Sequence, residues 1–182
     1  MNKSVMIVGV GGQGTLLASR ILGDAMMDQG FDVKVSEVHG MSQRGGSVVT
    51  YVRYGDKVYS PVIETGEADV VLAFEQLEAA RFLPYLKVDG TVVTSTQKID
   101  PMPVVTGDKA YPQGILEEME GKGVNVLAVD AMSLAEEAGS QKAVNVVRGQ
   151  GAVALRRGAL RATQIFGDEQ KGFRARLERL SF

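Results

Sequence analysis

The sequence has no cysteine and no tryptophan, and only one histidine, His39. Without thiols the chain forms no disulfide, gives zinc no thiolate, has no cysteine nucleophile and ligates no iron–sulfur cluster of its own. A single imidazole excludes a metal site built from several histidines. Long apolar runs are missing as well: none approaches the roughly 20 residues a membrane-spanning helix needs. The opening stretch, MNKSVMIVGV, enters a strand-like run directly, with no small-residue cleavage site behind it. No signal peptide and no membrane partner are therefore expected, and the cytoplasm is the expected compartment.

What is present describes an ordinary globular chain. A length of 182 residues favours one domain, residues 1–182, with enough chain to bury a real core. Hydrophobic residues at 45% and charged residues at 23% fit that class. Charge is uneven. Residues 142–182 hold nine Lys and Arg against three Asp and Glu, and the remainder holds eleven against nineteen. This C-terminal segment, about 142–182, reads as helical, and its basic face is either solvated or a docking surface. Nucleic acid is not expected, because no aromatic platform interleaves with the arginines.

Periodicity predicts alternating strands and helices. Residues 5–10 read as a buried strand, and Leu17, Ile21 and Ala25 recur at helical spacing before a stop at Gly30. Residues 32–37 alternate as a strand. Residues 47–54 and 57–60 alternate around Gly55-Asp56, which predicts a tight hairpin. ADVVLAF, residues 68–74, is apolar almost throughout, as a strand covered on both faces would be. A helix over 76–86 closing near Pro84, a strand over 91–96, a short helix around Ile115, Leu116 and Met119, and a strand over 124–129 follow. Ser133 to Glu136 has capping-box spacing, and Phe173, Leu177 and Leu180 form a stripe on a final helix. The pattern predicts a three-layer α/β fold, Rossmann-like, with a mostly parallel sheet and an antiparallel hairpin at one side.

Gly9, Gly11 and Gly14 fit G-x-G-x-x-G between a strand and a helix. Glycine permits a tight turn and close approach, and the helix N-terminus offers free N–H groups to an anion. Alternatively these glycines only let helix and strand pack closely. Glu37 falls roughly where a dinucleotide fold keeps its ribose-binding acid. The stretch that follows, EVHGMSQRGGSVV, does not read as the helix such a fold would place there. It is a polar loop with Gly40, Ser42, Gln43, Arg44, Gly45 and Gly46, running straight into another strand. Arg44 among small residues suits a carboxylate or phosphate. His39 suits hydrogen-bond donation or proton transfer, and a structural role equally. The candidate binding set is Gly11, Gly12, Gln13, Gly14, Glu37, Gly40, Ser42, Gln43, Arg44, Gly45 and Gly46, with His39 and Arg44 as candidate catalytic groups. Glu75, after the buried strand, reads either as crevice-facing or as an exposed first-turn acid.

GVGGQGTLLASRIL, VSEVHGMSQRGGSVVTYVRYG, VYSPVI and ADVVLAFEQLEAARFLPYL together resemble the gamma-type subunit of 2-oxoacid:ferredoxin oxidoreductases. Within that family they look like the beta subunit of the indolepyruvate subtype, over roughly residues 4–140. The family pattern gives way at NVVRGQGAVALRRGAL. The resemblance implies oxidative decarboxylation of a 2-oxoacid, with coenzyme A taking the acyl group and ferredoxin the electrons. It implies thiamine diphosphate, magnesium and iron–sulfur clusters as the cofactors. This chain has no cysteine, and its three Gly-Asp pairs continue as Lys57, Lys109 and Glu169 rather than as a diphosphate–magnesium motif. It therefore carries none of these groups alone and needs a larger partner subunit, through which ferredoxin is reached. A hetero-oligomer is expected, or a homodimer when isolated. Two rival readings are a free-standing NAD- or FAD-dependent oxidoreductase and a nucleotide- or coenzyme A-binding module.

Overall fold

The computed structural model describes residues 2–39 and 45–130, with His39 by its backbone only. Six strands form one sheet: β1 (Lys3–Val10), β2 (Asp32–His39), β3 (Ser47–Gly55), β4 (Ala68–Ala73), β5 (Leu86–Ser95) and β6 (Asn125–Val129). Their spatial order is β2-β3-β1-β4-β5-β6. β1, β4, β5 and β6 run parallel, and β3 is antiparallel to both of its neighbours. Four helices accompany them: α1 (Thr15–Met27), α2 (Gln76–Arg81), α3 (Met102–Val105) and α4 (Ile115–Gly121).

β1 shows why the sheet sits at the centre. Its residues from Ser4 to Gly9 are buried without interruption, which requires cover on both faces. Val5 and Ile7 point into one core with Ala18, Leu22 and Met26 of α1, joined by Val52, Leu72 and Phe74. Met6 and Val8 point into the other with Ala79 of α2 and Ile115 and Met119 of α4, joined by Val71 and Val92. Three layers result, as the alternation of strands and helices predicts.

The expected hairpin around Gly55-Asp56 is corrected. Residues 57–60 form no strand. Both hydrogen-bonding edges of β3 are already taken, by β1 from Lys3↔Tyr54 to Val10↔Ser47 and by β2 from Asp32↔Gly55 to His39↔Val48. No edge is left for the following segment, which is instead tied by Val58 N–H to Asp32 Oδ2 at 2.8 Å and by Asn2 Nδ2 to the Lys57 carbonyl at 3.0 Å. The antiparallel hairpin is β2–β3. The helix expected over 76–86 stops at Arg81, and Leu83–Tyr85 forms a 3₁₀ turn containing Pro84. The helices expected beyond residue 130 lie outside the described residues. Among the described residues, no helix is long and apolar enough to cross a membrane.

At the opposite end of the sheet from the glycine loop, Asp69 ties β1, β4 and β5 together. Its carboxylate accepts from Ser4 N–H at 2.8 Å and meets Lys3 Nζ at 3.1 Å and Lys87 Nζ at 3.0 Å. Burial works against the charged form, but the Ser4 amide and the two lysines prevail and hold the carboxyl below its ordinary value. An acid lowered in this way stabilises the fold above its unfolded pKa of about 3.9, and that contribution disappears as pH falls through the lower folded value. Asp69→Asn should therefore cost about 1 kcal/mol at neutral pH, reduced from a buried-pair figure by solvent screening, and the cost should vanish in strong acid. Urea denaturation across the acid range measures this.

Candidate functional site

The C-terminal ends of β1, β4 and β5 form one rim of the sheet, where open α/β sheets bind ligands. β1 ends at Val10, and the chain turns through Gly11, Gly12 and Gln13 to Gly14, the N-cap of α1. Gly14 sits at φ 81° and Gly12 at φ 97°, the left-handed region that favours glycine. α1 has no side-chain cap and no acidic residue in its first turn. No carboxylate of its own first turn therefore answers its positive end.

α2 starts from the neighbouring strand and is built oppositely. Its N-cap is Glu75, whose carboxylate accepts from the N–H groups of Leu77 at 2.8 Å and Glu78 at 3.1 Å. The other oxygen accepts from Ile99 N–H at 3.3 Å and from the Tyr111 hydroxyl. Glu75 is 1% exposed. It is thus neither crevice-facing nor an exposed acid, but a buried anchor. Burial first, and then the hydrogen bond to Glu75 and its charge, push the Tyr111 hydroxyl well above its ordinary pKa, so it remains a donor.

The two sequence stretches meet directly. Gly11 N–H donates to the Gly46 carbonyl at 2.8 Å, closing the glycine loop onto the last residue before β3. The next residue, Ser47, donates its hydroxyl to Glu78 on α2. Burial raises the Glu78 carboxyl, while the Ser47 hydroxyl and Arg81, at 3.1 Å, oppose that rise. Ser47 and Glu78 tie β3 to α2 below the rim, a pairing that motif reading misses because the two lie 31 residues apart.

Gly11, Gly12 and Gly14 stand at the rim, with Gly46 bonded to Gly11 and Gly45 preceding it. Gln13 is there too, but its side chain turns into the fold. His39 ends β2, and its backbone lies in one row with Val48 of β3 and Gly9 of β1. Its side chain, and Gly40, Ser42, Gln43 and Arg44, lie outside the described residues. Glu37 is corrected as a ribose-type acid. A dinucleotide fold sets its second strand beside the first, whereas here β3 intervenes, leaving Glu37 two strand spacings, about 10 Å, from β1. It also pairs with Thr50, two residues short of the strand end. Among the described residues, no group of three or more His, Cys, Asp and Glu could hold a metal ion.

Comparison with known proteins accounts for this departure from the dinucleotide pattern. The family model described as pyruvate ferredoxin/flavodoxin oxidoreductase matches residues 4–174, running well past the point where the motif resemblance fades. Indolepyruvate oxidoreductase subunit IorB of Pyrococcus horikoshii is 47% identical over 150 residues, which is 79% of this chain and 73% of that relative. The pyruvate oxidoreductase subunit PORC from Thermotoga maritima shares the fold with a TM-score of 0.64 at 18% identity, covering 100% of this chain and 86% of that one. A 2-oxoglutarate:ferredoxin oxidoreductase from Magnetococcus marinus, solved with 2-oxoglutarate, coenzyme A and succinyl-CoA bound, shares it with a TM-score of 0.57 at 16% identity. There the match covers 99% of this chain but only 32% of the larger one. The chain belongs to the pyruvate ferredoxin/flavodoxin oxidoreductase family.

Proposed function

We propose that this chain is the small, gamma-type subunit of a 2-oxoacid:ferredoxin oxidoreductase acting on indolepyruvate or a related arylpyruvate, and that it is inactive alone. Its role is to form one wall of the pocket in which the oxoacid is oxidatively decarboxylated to an acyl-CoA. The larger subunit supplies the other wall, the thiamine diphosphate and magnesium that activate the oxoacid, and the clusters that pass electrons to ferredoxin. The residues of this chain do not fit those groups. It has no cysteine for a cluster and no Gly-Asp-Gly motif for the diphosphate. The substrate subtype rests on the name of the 47%-identical relative.

The observation that carries the pocket is the Gly11–Gly46 hydrogen bond. It sets the start of α1 beside Gly46, two residues after Arg44 in the sequence. Both features favour an anion, either a phosphate of coenzyme A or the carboxylate of the oxoacid. Partial exclusion of water strengthens each contact, because the effective dielectric falls. In the assembled enzyme Arg44→Ala should raise the apparent KM for one of those two substrates by about 10- to 100-fold, the worth of a charge-assisted hydrogen bond. Unchanged KM and kcat would remove Arg44 from the site. Purification from the native cell tests the partnership: a large, brown, cysteine-rich, thiamine-containing polypeptide should accompany the chain.

A further inference from the structure

Gln13 lies in the middle of the glycine loop, yet its carboxamide faces away from any ligand the loop would meet. Its oxygen accepts from Val10 N–H at 2.7 Å. Its nitrogen donates to the Phe74 carbonyl at 3.1 Å and to Gln97 Oε1 at 3.3 Å. One side chain thus joins the ends of three parallel strands, because Phe74 directly follows β4 and Gln97 lies two residues beyond β5. The backbone tightens the same turn, with Gln13 N–H donating to the Val10 carbonyl at 3.1 Å.

The neighbouring glycines fit around this pin. A Cβ on Gly9 would lie 2.9 Å from Gln13 Oε1, so the carboxamide occupies the space that Gly9 leaves open. Gly12, on the outer side, has no atom of the described residues within 4 Å of the place a Cβ would take. The loop is therefore fixed from within, and among the described residues nothing crowds its outer side at Gly12. A segment with three glycines in four residues has wide conformational freedom, and ordering it around a ligand costs affinity unless the protein orders it beforehand.

We propose that Gln13 is a positioning residue for substrate binding. Gly11 and Gln13 N–H are already bonded to the Gly46 and Val10 carbonyls, so the Gln13 carboxamide holds the loop such that the N–H groups of Gly12, Gly14 and the first turn of α1 face the phosphate or carboxylate of an acidic substrate. This rests on the reading of the rim as an anion site. Gln13 touches no reacting atom, and the redox chemistry belongs to the partner subunit. Losing the pin therefore weakens binding and leaves turnover at saturation nearly unchanged.

The test uses the assembled two-subunit enzyme with Gln13→Met, Gln13→Glu and Gln97→Leu. Gln13→Met has similar length and makes none of the three hydrogen bonds. Gln13→Glu still accepts from Val10 N–H but opposes two acceptors without a donor. KM for coenzyme A, KM for the oxoacid, kcat and the melting temperature of the complex are measured for each. Both Gln13 variants should raise one KM by about tenfold with kcat within about threefold, as expected when preorganisation rather than chemistry is lost. Whichever KM moves identifies the anion as phosphate or carboxylate. Gln97→Leu removes one acceptor and should shift the same KM less, which keeps the test alive if a Gln13 variant fails to assemble. An assembled Gln13→Met or, failing that, Gln97→Leu enzyme with both KM values unchanged overturns the proposal, as does a fall in kcat with KM unmoved. If Arg44→Ala raises KM and Gln13→Met does not, the positioning role falls while the anion site stands. If neither variant changes KM, the anion site falls with it.

Discussion

Replacing Glu75 with alanine should lower the stability of the chain by about 3 kcal/mol or more and its melting temperature by about 10 °C. Four donors converge on this carboxylate: two N–H groups at the start of α2, the Ile99 amide and the Tyr111 hydroxyl. Truncation leaves all four without their acceptor in a place that water barely reaches, since Glu75 is 1% exposed. Loss of an N-cap alone costs about 1 kcal/mol, and each unsatisfied buried donor adds about 1–3 kcal/mol, not fully additively. α2 has only six residues and cannot persist without its cap and its packing. Glu75→Gln keeps acceptor oxygen but turns an amide nitrogen toward other donors, so its loss should be smaller. Urea denaturation of the three proteins at neutral pH decides the matter. A loss below about 1 kcal/mol for Glu75→Ala would show that the carboxylate is not the anchor of the rim.

Gly9→Val should be the most damaging substitution in the glycine loop. The Cβ would come within 3.1 Å of Phe74 Cβ and 3.2 Å of Thr15 Cγ2, besides the 2.9 Å approach to Gln13 Oε1. Two further methyl groups then overfill a packed site where β1, α1 and the residue after β4 converge, at a cost of about 1–3 kcal/mol or more. Gln13 is displaced as well, so the KM of the assembled enzyme should rise with the loss of stability. Gly12→Ala is the contrasting case. A Cβ there meets none of the described residues, but φ is 97°, so backbone strain of about 1–2 kcal/mol opposes it. Melting curves and KM values for the pair separate crowding from conformation. Equal effects in both variants would contradict this assignment of roles.

How far the sequence revealed this molecule depends on the range of the interaction involved. β1 and β4 are legible because parallel strands covered on both faces need unbroken apolar runs, and IVGV and ADVVLA supply them. The glycine loop is legible because its requirements are local: a turn, a left-handed residue and a helix start. The supposed strand over 57–60 misleads because alternation records a half-buried extended chain and not whether a neighbouring edge is free. α3 has no counterpart in the sequence reading: it is four residues long, too short for a helical period to show, and it starts at Pro101 and Pro103, which a helix's first turn tolerates. Glu75 and Gln13 are misread for another reason. Their partners Tyr111 and Gln97 lie 36 and 84 residues away, and no short pattern contains such pairings. The topology around Glu37 is hidden in the same way, since its distance from β1 depends on which strand comes between them.

That intervening strand has a consequence for how such a chain can change over generations. Because β3 runs against β1, the connection leaving β2 returns to the sheet at the very edge where the glycine turn emerges. Residues can be added to or removed from this connection, between His39 and Ser47, without shifting the pairing of any strand. A lineage can thus recast this border one short segment at a time, while the sheet and its two cores keep the same register.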